Sequence, residues 1–416
     1  MRGLSGVTAP AWFAKLRADA ATRFAGLGYP TSRQEAWRYT RLKPITSAEF
    51  AVSEASPEAS VESSLDVAFR MVFVNGHHAP ALSTGPALPE GVTCTTLAES
   101  VAASDDAIQE GLDHTAMLSK APFGALNSHH FSDGAYLRLA PNLTLEKPIE
   151  LVFLSVSTGD VEVGSHPRVL IQAGRHAQAT VVERYVGRTS SKYFTNAVTE
   201  IFLDEGARVD HVRLQLEDDA AYHVGFVGVT QGRDSTFNSY VFSLGGAIAR
   251  SEVQVAMGEV GASCALAGYY HPRGEQQHDH YTVIDHQAPH GTSSEIYKGI
   301  VEDAGEGSFQ GRVLIGEGAI KTNTDQLNRN LLIGPAARAN TKPQLEIDND
   351  DVKAAHGSTI GQLDPEPLFY CLTRGLTRDQ AKRLLTEAFA KEIVAALPSE
   401  ALQDEVGTLV SRRLGA

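Results

Sequence analysis

Residues 198–214 read VTEIFLDEGARVDHVRL, two short strands of alternating apolar and polar residues on either side of a turn at Gly206. Comparable turns recur along the chain at Gly174, Gly206, Gly232, Gly261 and Gly318. The first three intervals between these glycines are similar, and the last is close to twice the others. A period near thirty without long helical stretches indicates coils of β-structure stacked along an axis. Spacing alone leaves a sandwich or barrel as the alternative, since their strands also alternate.

The pattern divides the 416 residues into three regions. Residues 1–134 mix helix and strand and begin with a helical apolar stripe formed by Trp12, Phe13, Leu16, Ala20 and Phe24. Residues 52–64 are of low complexity and are predicted to be a loop or linker. The alternating strands occupy 135–364, and 365–416 is helical again. We therefore expect an N-terminal mixed helical domain, a β core and a C-terminal helical domain with these bounds.

Two amphipathic helices are predicted near the C-terminus. Thr377 and Gln380 have the spacing of a capping box, and the apolar stripe that follows consists of Ala381, Leu384, Leu385, Ala388 and Phe389. A second stripe is formed by Leu402, Val406, Leu409 and Val410. Such helices either pack on their own protein or bind a partner, and the residue pattern alone favours packing.

Composition excludes several classes of protein. With 36 basic and 50 acidic residues the net charge is −14, which disfavours binding to nucleic acid. No apolar run reaches the roughly 18 residues of a membrane span, and the first fifteen residues lack the apolar block of a signal peptide. Three widely separated cysteines form no disulfide framework and no Cys-x-x-Cys motif. We expect a soluble, cytoplasmic protein with no membrane partner.

Sequence motifs for common enzymatic chemistry are missing. The chain has no Gly-x-x-x-x-Gly-Lys-[Ser/Thr] loop, no Gly-x-Gly-x-x-Gly between a strand and a helix, and no Gly-x-Ser-x-Gly. Nucleotide binding of these kinds and an α/β-hydrolase mechanism therefore have no support.

Histidine is concentrated in one short segment. Five of the fifteen histidines fall within twenty residues, namely His271, His278, His280, His286 and His290. His278 and His280 are expected on one face of a strand, a spacing that can chelate a metal ion. The simpler interpretation, which we favour, is that these are hydrogen-bonded or solvated polar residues of the coils.

A further candidate is His356. If Val352 begins a strand, Val352, Ala354 and His356 lie on one face, and an imidazole there can bind iron, copper or zinc. A lone strand histidine is usually structural, so the pattern alone does not distinguish the two roles.

Several motifs resemble the SufB/SufD family of iron–sulfur cluster assembly proteins over nearly the whole chain. The C-terminal half carries NRNLLIG at 328–334, TKPQLEI at 341–347 and HGSTIG at 356–361. The upstream motif YKG at 297–299 matches the same family, and RQEAWRYT at 33–40 is similar to its SufD branch. The TKPQLEI run is the most specific of these.

Three positions bear on the choice between the two branches. The resemblance implies that SufB proteins carry a cluster-building cysteine where this chain has Ala337, and a glutamate where it has His356. SufD proteins have histidine at that second position. Many of them also have a cysteine at the position of Ala354, so a thiolate there is not essential to this protein.

For the fold, the resemblance implies a right-handed parallel β-helix core flanked by the N-terminal mixed helical and C-terminal helical domains. For function, it implies a non-enzymatic SufD-like scaffold subunit of the SufBCD complex, paired with a SufB-like subunit. The C-terminal helix would bind a SufC-like ATPase through Leu384, Leu385, Ala388 and Phe389, and the isolated chain is expected to form a homodimer.

For chemistry, the resemblance implies that His356 binds iron or a nascent cluster at the SufB–SufD interface. No cofactor is expected to bind tightly to the isolated chain; iron or an iron–sulfur cluster would be transient in the complex, and FADH2 is possible for the complex. Two alternatives come from other classes, a β-helical carbohydrate-active enzyme and a stand-alone metal-binding protein that uses the histidines between 271 and 290.

Overall fold

The structure, a computed structural model, describes residues 10–52, 60–115, 117–156, 162–188 and 191–415. Its α-helices are α1 (Ala11–Leu27), α2 (Lys43–Thr46), α3 (Leu97–Ala102), α4 (Asp106–Gly111), α5 (Pro122–His130), α6 (Pro365–Thr373), α7 (Arg378–Ala395) and α8 (Glu400–Arg413). Short 3₁₀ helices occur at Glu35–Trp37 and Leu118–Lys120. None of the helices in the described ranges combines the length and apolar character needed to cross a bilayer.

The first strands belong to the N-terminal half of the chain. They are β1 (Ala51–Val52), β2 (Phe69–Val74), β3 (His77–His78), β4 (Val92–Thr96), β5 (Gly134–Leu139), β6 (Ile149–Val156), β7 (Val163–Ser165), β8 (Arg168–Ala173), β9 (Gln178–Arg188), β10 (Tyr193–Leu203) and β11 (Arg208–Leu216). The later strands are β12 (Tyr222–Gln231), β13 (Thr236–Ser243), β14 (Ile248–Met257), β15 (Ser263–Tyr270), β16 (Gln277–His286), β17 (Thr292–Glu302), β18 (Glu306–Ile315), β19 (Asn323–Ile333), β20 (Arg338–Ile347) and β21 (Lys353–Gly361).

From β8 onward, successive strands alternate between two parallel sheets. One sheet continues through β10, β12, β14, β16, β18 and β20, and the other through β9, β11, β13, β15, β17, β19 and β21. Each coil therefore contributes one strand to each sheet, and about 7 coils are stacked. This confirms the mainly β fold with a parallel β-helix core and flanking helices, and it excludes the sandwich or barrel that spacing had left open.

The coil length explains the period seen in the sequence. In the first sheet, Phe194 pairs with Tyr222, and Tyr222 pairs with Ile248, so each partner lies one coil further along the chain. At one side of the β-helix, six successive turns, from the one between β8 and β9 to the one between β18 and β19, each hold a residue with positive φ, at His176, Gly206, Asp234, Gly261, His290 and Lys321. His290 supplies the turn that is skipped in the long glycine interval between 261 and 318.

Other local expectations are also met. The helix predicted from Trp12 to Phe24 is α1, and the capping box is present at the start of α7. Of the predicted loop at 52–64, residue 52 belongs instead to β1, 53–59 lie outside the described residues, and 60–64 contain no helix or strand. The predicted boundary at 364 falls between β21 and α6. At the other boundary, β2 precedes residue 134 and pairs with β6 beyond it.

The space between the sheets is filled by stacked apolar side chains and by a few large polar ones. Its apolar part includes Leu137, Ile171, Val209, Val253, Ile284 and Val313. Large side chains extend across the interior at places where a nearby strand has glycine. A Cβ at Gly268 would overlap the ring of Tyr297, and one at Gly225 would overlap the guanidinium of Arg213. Glycine is thus required at these positions for space rather than for a special φ.

The two ends of the β-helix differ. At the N-terminal end, β3 and β4 pair antiparallel with β2 and β5, so the parallel stack does not continue beyond them. At the C-terminal end the sheets stop at β20 and β21, and most of their side chains are half-buried or exposed. Within the described residues, no strand pairs with the outer edge of either strand. The C-terminal end of the β-helix is therefore open.

Gly268→Ala tests this account of the interior. The added methyl group should displace the Tyr297 ring and lower the free energy of unfolding by about 1–3 kcal/mol, as overpacked cores do. Gly258→Ala is the matched control, because its Cβ would meet only Gln287 Oε1 at 3.6 Å. Urea unfolding followed by circular dichroism measures both. Equal stabilities for the two variants would contradict the packing described here.

Candidate functional site

His356 lies in the middle of β21, the last strand of its sheet. β21 pairs with β19, and the register places His356 beside Gln326. Val352, just before β21, and Ala354 on β21 pack against the interior of the β-helix, whereas His356 on the same face is exposed. The structure therefore puts the predicted ligand at the open end, where no further strand of the described chain covers it.

Three large apolar side chains are exposed at the C-terminal end of the β-helix. Ile320 in the turn before β19, Ile347 at the end of β20 and Ile360 near the end of β21 are each more than 40% exposed. Exposed large apolar side chains that gather at the edge of a sheet mark an interaction surface. Ala337, the position at which SufB proteins are expected to have cysteine, is buried just before β20.

Two buried polar side chains lie behind His356, Gln326 one coil back and Glu295 two coils back. Gln326 Nε2 donates to Glu295 Oε2 at 2.6 Å, and both side chains are inside the β-helix. Gly311 makes room for the amide, because a Cβ there would overlap Gln326 Nε2. Burial raises the pKa of the Glu295 carboxyl to about 7, although the bond from Gln326 lowers it. This pair was missed in the sequence, where its signal is that positions 295, 326 and 356 follow one another at nearly the coil period.

The clustered histidines do not form a chelating group. His280 stacks on Tyr270 of the opposite sheet, with ring centroids 4.8 Å apart, so it points into the β-helix. Burial lowers the pKa of His280 to about 4 and that of His278 well below its ordinary value, so both rings are neutral. Within the described ranges, no three or more His, Cys, Asp or Glu side chains are grouped so that they could hold a metal ion.

The cysteines offer no ready sulfur ligand either. Cys264 is buried in the interior and Cys94 is half-buried. Burial raises the pKa of Cys94 to about 12 and that of Cys264 above its ordinary value, so these thiols stay protonated at neutral pH. Metal binding and nucleophilic attack both need the thiolate. The third cysteine, Cys371, is buried on α6, and the chain has no cysteine between Cys264 and Cys371, so strands β16 to β21 carry no sulfur ligand for a metal at His356.

Helix α7 is fixed to the β-helix by one face. Lys298 on β17 donates to the Phe389 carbonyl oxygen at 3.0 Å and pairs with Glu392 at 2.5 Å, and its ammonium lies 4.5 Å from the centre of the Phe389 ring. The side chains of this face are buried against strands and α8: Ala381, Thr386, Ala390, Ile393 and Val394. Of the predicted partner-binding residues, Phe389 thus belongs partly to internal packing.

The opposite face of α7 is available to a partner. Leu384 is 49% exposed and Ala388 is also exposed, while Leu385 is half-buried. Helix α6 adds three exposed apolar side chains that the sequence did not single out for partner binding, Phe369, Tyr370 and Leu372. We call these three residues together with Leu384 and Ala388 the α6–α7 surface. The periodicity of the sequence predicted the apolar stripe of α7, but only the packing shows which of its side chains remain exposed.

Comparison with known proteins agrees with this geometry. The family model described as "SUF system FeS cluster assembly, SufBD core domain" matches residues 154–389, and the model "SufBD protein N-terminal region" matches 7–151. The chain belongs to the SufBD family. Its resemblance to the SufB/SufD family is thereby confirmed, and the family's role in iron–sulfur cluster assembly replaces the carbohydrate-active alternative.

Curated relatives of this SufBD protein are similar over most of their length. An iron–sulfur cluster assembly SufBD family protein of Synechocystis is 32% identical over 95% of this chain and 90% of its own. The iron–sulfur cluster assembly protein SufD of Escherichia coli is 30% identical over 93% of this chain and 90% of its own. SufD of Bacillus subtilis is 26% identical over 97% and 94%.

A surface cavity of about 700 Å³ is the candidate place on this SufBD protein for a bound cofactor. Residues 60–64, β9 and α8 line it, and its lining residues include no aromatic side chain. Arg184 in its wall is already paired with Glu150 and Glu405. This cavity therefore offers no ring on which an isoalloxazine could stack, and the function proposed below routes no step through the flavin, which the resemblance allows for the complex.

Replacing Glu295 with glutamine should change how stability depends on pH. Because the folded pKa of about 7 lies above the ordinary value of 4.5, the stabilisation is complete below about pH 4.5 and is lost as pH rises through 7. Relative to Glu295→Gln, the wild type should therefore lose about 3 kcal/mol of unfolding free energy between these limits. Urea titrations over this range measure it. Parallel curves for the two proteins would contradict the raised pKa.

Proposed function

We propose that this chain is a SufD-like, non-enzymatic scaffold subunit that supports cluster assembly in a complex with a SufB-like subunit and a SufC-like ATPase. One observation carries the proposal, the open end of the β-helix with the exposed His356 on its last strand. A coiled stack that ends without a cap leaves backbone groups and apolar side chains for another strand to cover. The family's role in iron–sulfur cluster assembly makes a metal at this histidine the most direct use of such an end.

The partner at the open end is a SufB-like subunit. Because the two branches of the family resemble each other, their β-helices can meet end to end in a nearly two-fold contact. The exposed isoleucines at positions 320, 347 and 360 would be covered by it. Without a SufB-like subunit, two copies of this chain are expected to pair through the same surface as a homodimer.

His356 would bind iron or a nascent cluster at this contact. Imidazole nitrogen is a common iron ligand, and an exposed ring at an interface can reach a ligand on the partner. With alanine at 337 and 354, and with no cysteine between Cys264 and Cys371, the chain supplies nitrogen and the SufB-like subunit supplies sulfur. Iron and sulfide are substrates of this assembly rather than resident groups.

The α6–α7 surface would bind the SufC-like ATPase. An amphipathic helix that leaves apolar side chains exposed after packing its other face is suited to a groove on a second protein. Anchoring by Lys298 and Glu392 keeps α7 in place on β17, so binding at this surface requires no rearrangement of the helix.

The first test replaces the proposed ligand. His356→Ala should leave the complex with SufB-like and SufC-like subunits intact but reduce cluster formation to background, because the nitrogen ligand is lost. Reconstitution with iron and sulfide, followed by the visible absorption of the cluster, measures the outcome. Ser358→Ala, an exposed change on the same face of β21, is the control and should assemble clusters normally. Normal assembly by His356→Ala would make this histidine part of the scaffold only.

The second test places charge on the α6–α7 surface. Leu384→Asp combined with Phe369→Asp should weaken binding of the ATPase more than tenfold, since burying an unpaired carboxylate costs about 2 kcal/mol or more. Both residues are exposed, so the fold should persist. Leu27→Asp, the same change at a leucine of similar exposure on α1, is the control. Co-elution of the double variant with SufC at wild-type strength would show that the ATPase binds elsewhere.

A further inference from the structure

Three inward positions on successive coils are aligned in register. Glu295 on β17 pairs with Gln326 on β19, and Gln326 pairs with His356 on β21. Register partners of parallel strands point to the same face and lie about 5 Å apart. Gln326 is therefore the side chain directly beneath the open-end histidine, and Glu295 lies beneath Gln326.

The amide of Gln326 has a defined direction. An ionised carboxylate only accepts hydrogen bonds, so above the Glu295 pKa of about 7 the bond from Gln326 requires Nε2 to face that residue and Oε1 to face away from it. Gln326 is 2% exposed, and its Oε1 has no hydrogen-bond partner among the described residues. Buried acceptors are nearly always paired, so this oxygen requires a donor from water or from a neighbouring side chain.

We propose that Gln326 is a positioning residue for His356. In the described conformation the two groups are not hydrogen-bonded; when the exposed His356 side chain turns inward, its neutral ring donates an N–H to Oε1, which leaves the other ring nitrogen with its lone pair free at the open end. Glu295 holds the amide in this direction and prevents it from turning its NH₂ group toward the ring. Histidines that bind metals commonly donate their second nitrogen in this way. The metal-binding consequence rests on the function proposed above, but the orientation of the ring does not.

The test reads the tautomer of His356 directly. Nitrogen-15 NMR of the histidine-labelled full chain without metal, at about pH 8.5 where an ordinary imidazole is neutral, reports which ring nitrogen carries hydrogen. His356→Ala identifies the signal. We expect one tautomer in the wild type and a mixture in Gln326→Leu, which removes the acceptor. Gln326→Glu should keep the single tautomer, because a carboxylate also accepts. An unchanged tautomer in Gln326→Leu would overturn the proposal.

Two further variants separate positioning from a general disturbance of the coil. Thr324→Val changes a buried side chain on the same face of β19, but its register partner is Ala354 rather than a histidine. It should leave the His356 signal unchanged; a shift as large as that of Gln326→Leu would overturn the specific role of Gln326. Glu295→Gln should give a mixture of the two His356 tautomers, because an amide at position 295 no longer fixes the direction of the Gln326 amide. A single tautomer in this variant would remove Glu295 from the proposal.

Metal binding provides a second readout. Anaerobic titration with Fe²⁺ in a calorimeter should show affinity about 10–100-fold lower for Gln326→Leu than for the wild type, the usual effect of losing such a partner. Thr324→Val should bind like the wild type. If the wild type binds no Fe²⁺ while the tautomer responds as described, the ligand role of His356 fails and its positioning by Gln326 stands.

Discussion

In-register pairing between strands one coil apart is the constraint on which the rest of this structure depends. Each inward side chain stacks on its register partner in the preceding coil, as the pairings of Ile201 with Val229 and of Val313 with Leu345 illustrate. A shift of one residue would turn the apolar interior outward, so the register is strongly determined. The same register aligns Glu295, Gln326 and His356.

Buried ion pairs hold the peripheral segments against this stack. Three arginines on the outer faces of the coils each form an ion pair with a carboxylate there. The pairs are Arg168–Glu200, Arg184–Glu150 and Arg250–Asp279, and the arginines also contact nearby loops. Removing one partner of such a pair costs about 3–5 kcal/mol, because the other charge stays buried. Arg250, for example, also donates to Thr40 and lies 3.8 Å from the centre of the Trp37 ring, which fixes the segment with the SufD-like motif.

The two interaction surfaces are connected through one sheet. Helix α7 is anchored to β17, which pairs with β19, and β19 pairs with β21, the strand that carries His356. The proposed ATPase surface and the proposed assembly site are thus joined by three paired strands. The ion pair of Lys298 with Glu392 joins α7 to the first of these strands.

The sequence by itself determined a mainly β core with helical ends, the family and the candidacy of His356. These follow from local features: glycine turns at a period near thirty, apolar stripes and contiguous motifs such as TKPQLEI. It did not show that the coil end is open, that Phe389 packs inward while Leu384 remains exposed, or that Glu295 and Gln326 lie beneath His356. Those facts depend on contacts between residues far apart in the chain. The length of the coil between such residues varies along the stack, and it is decided only when the strands pair.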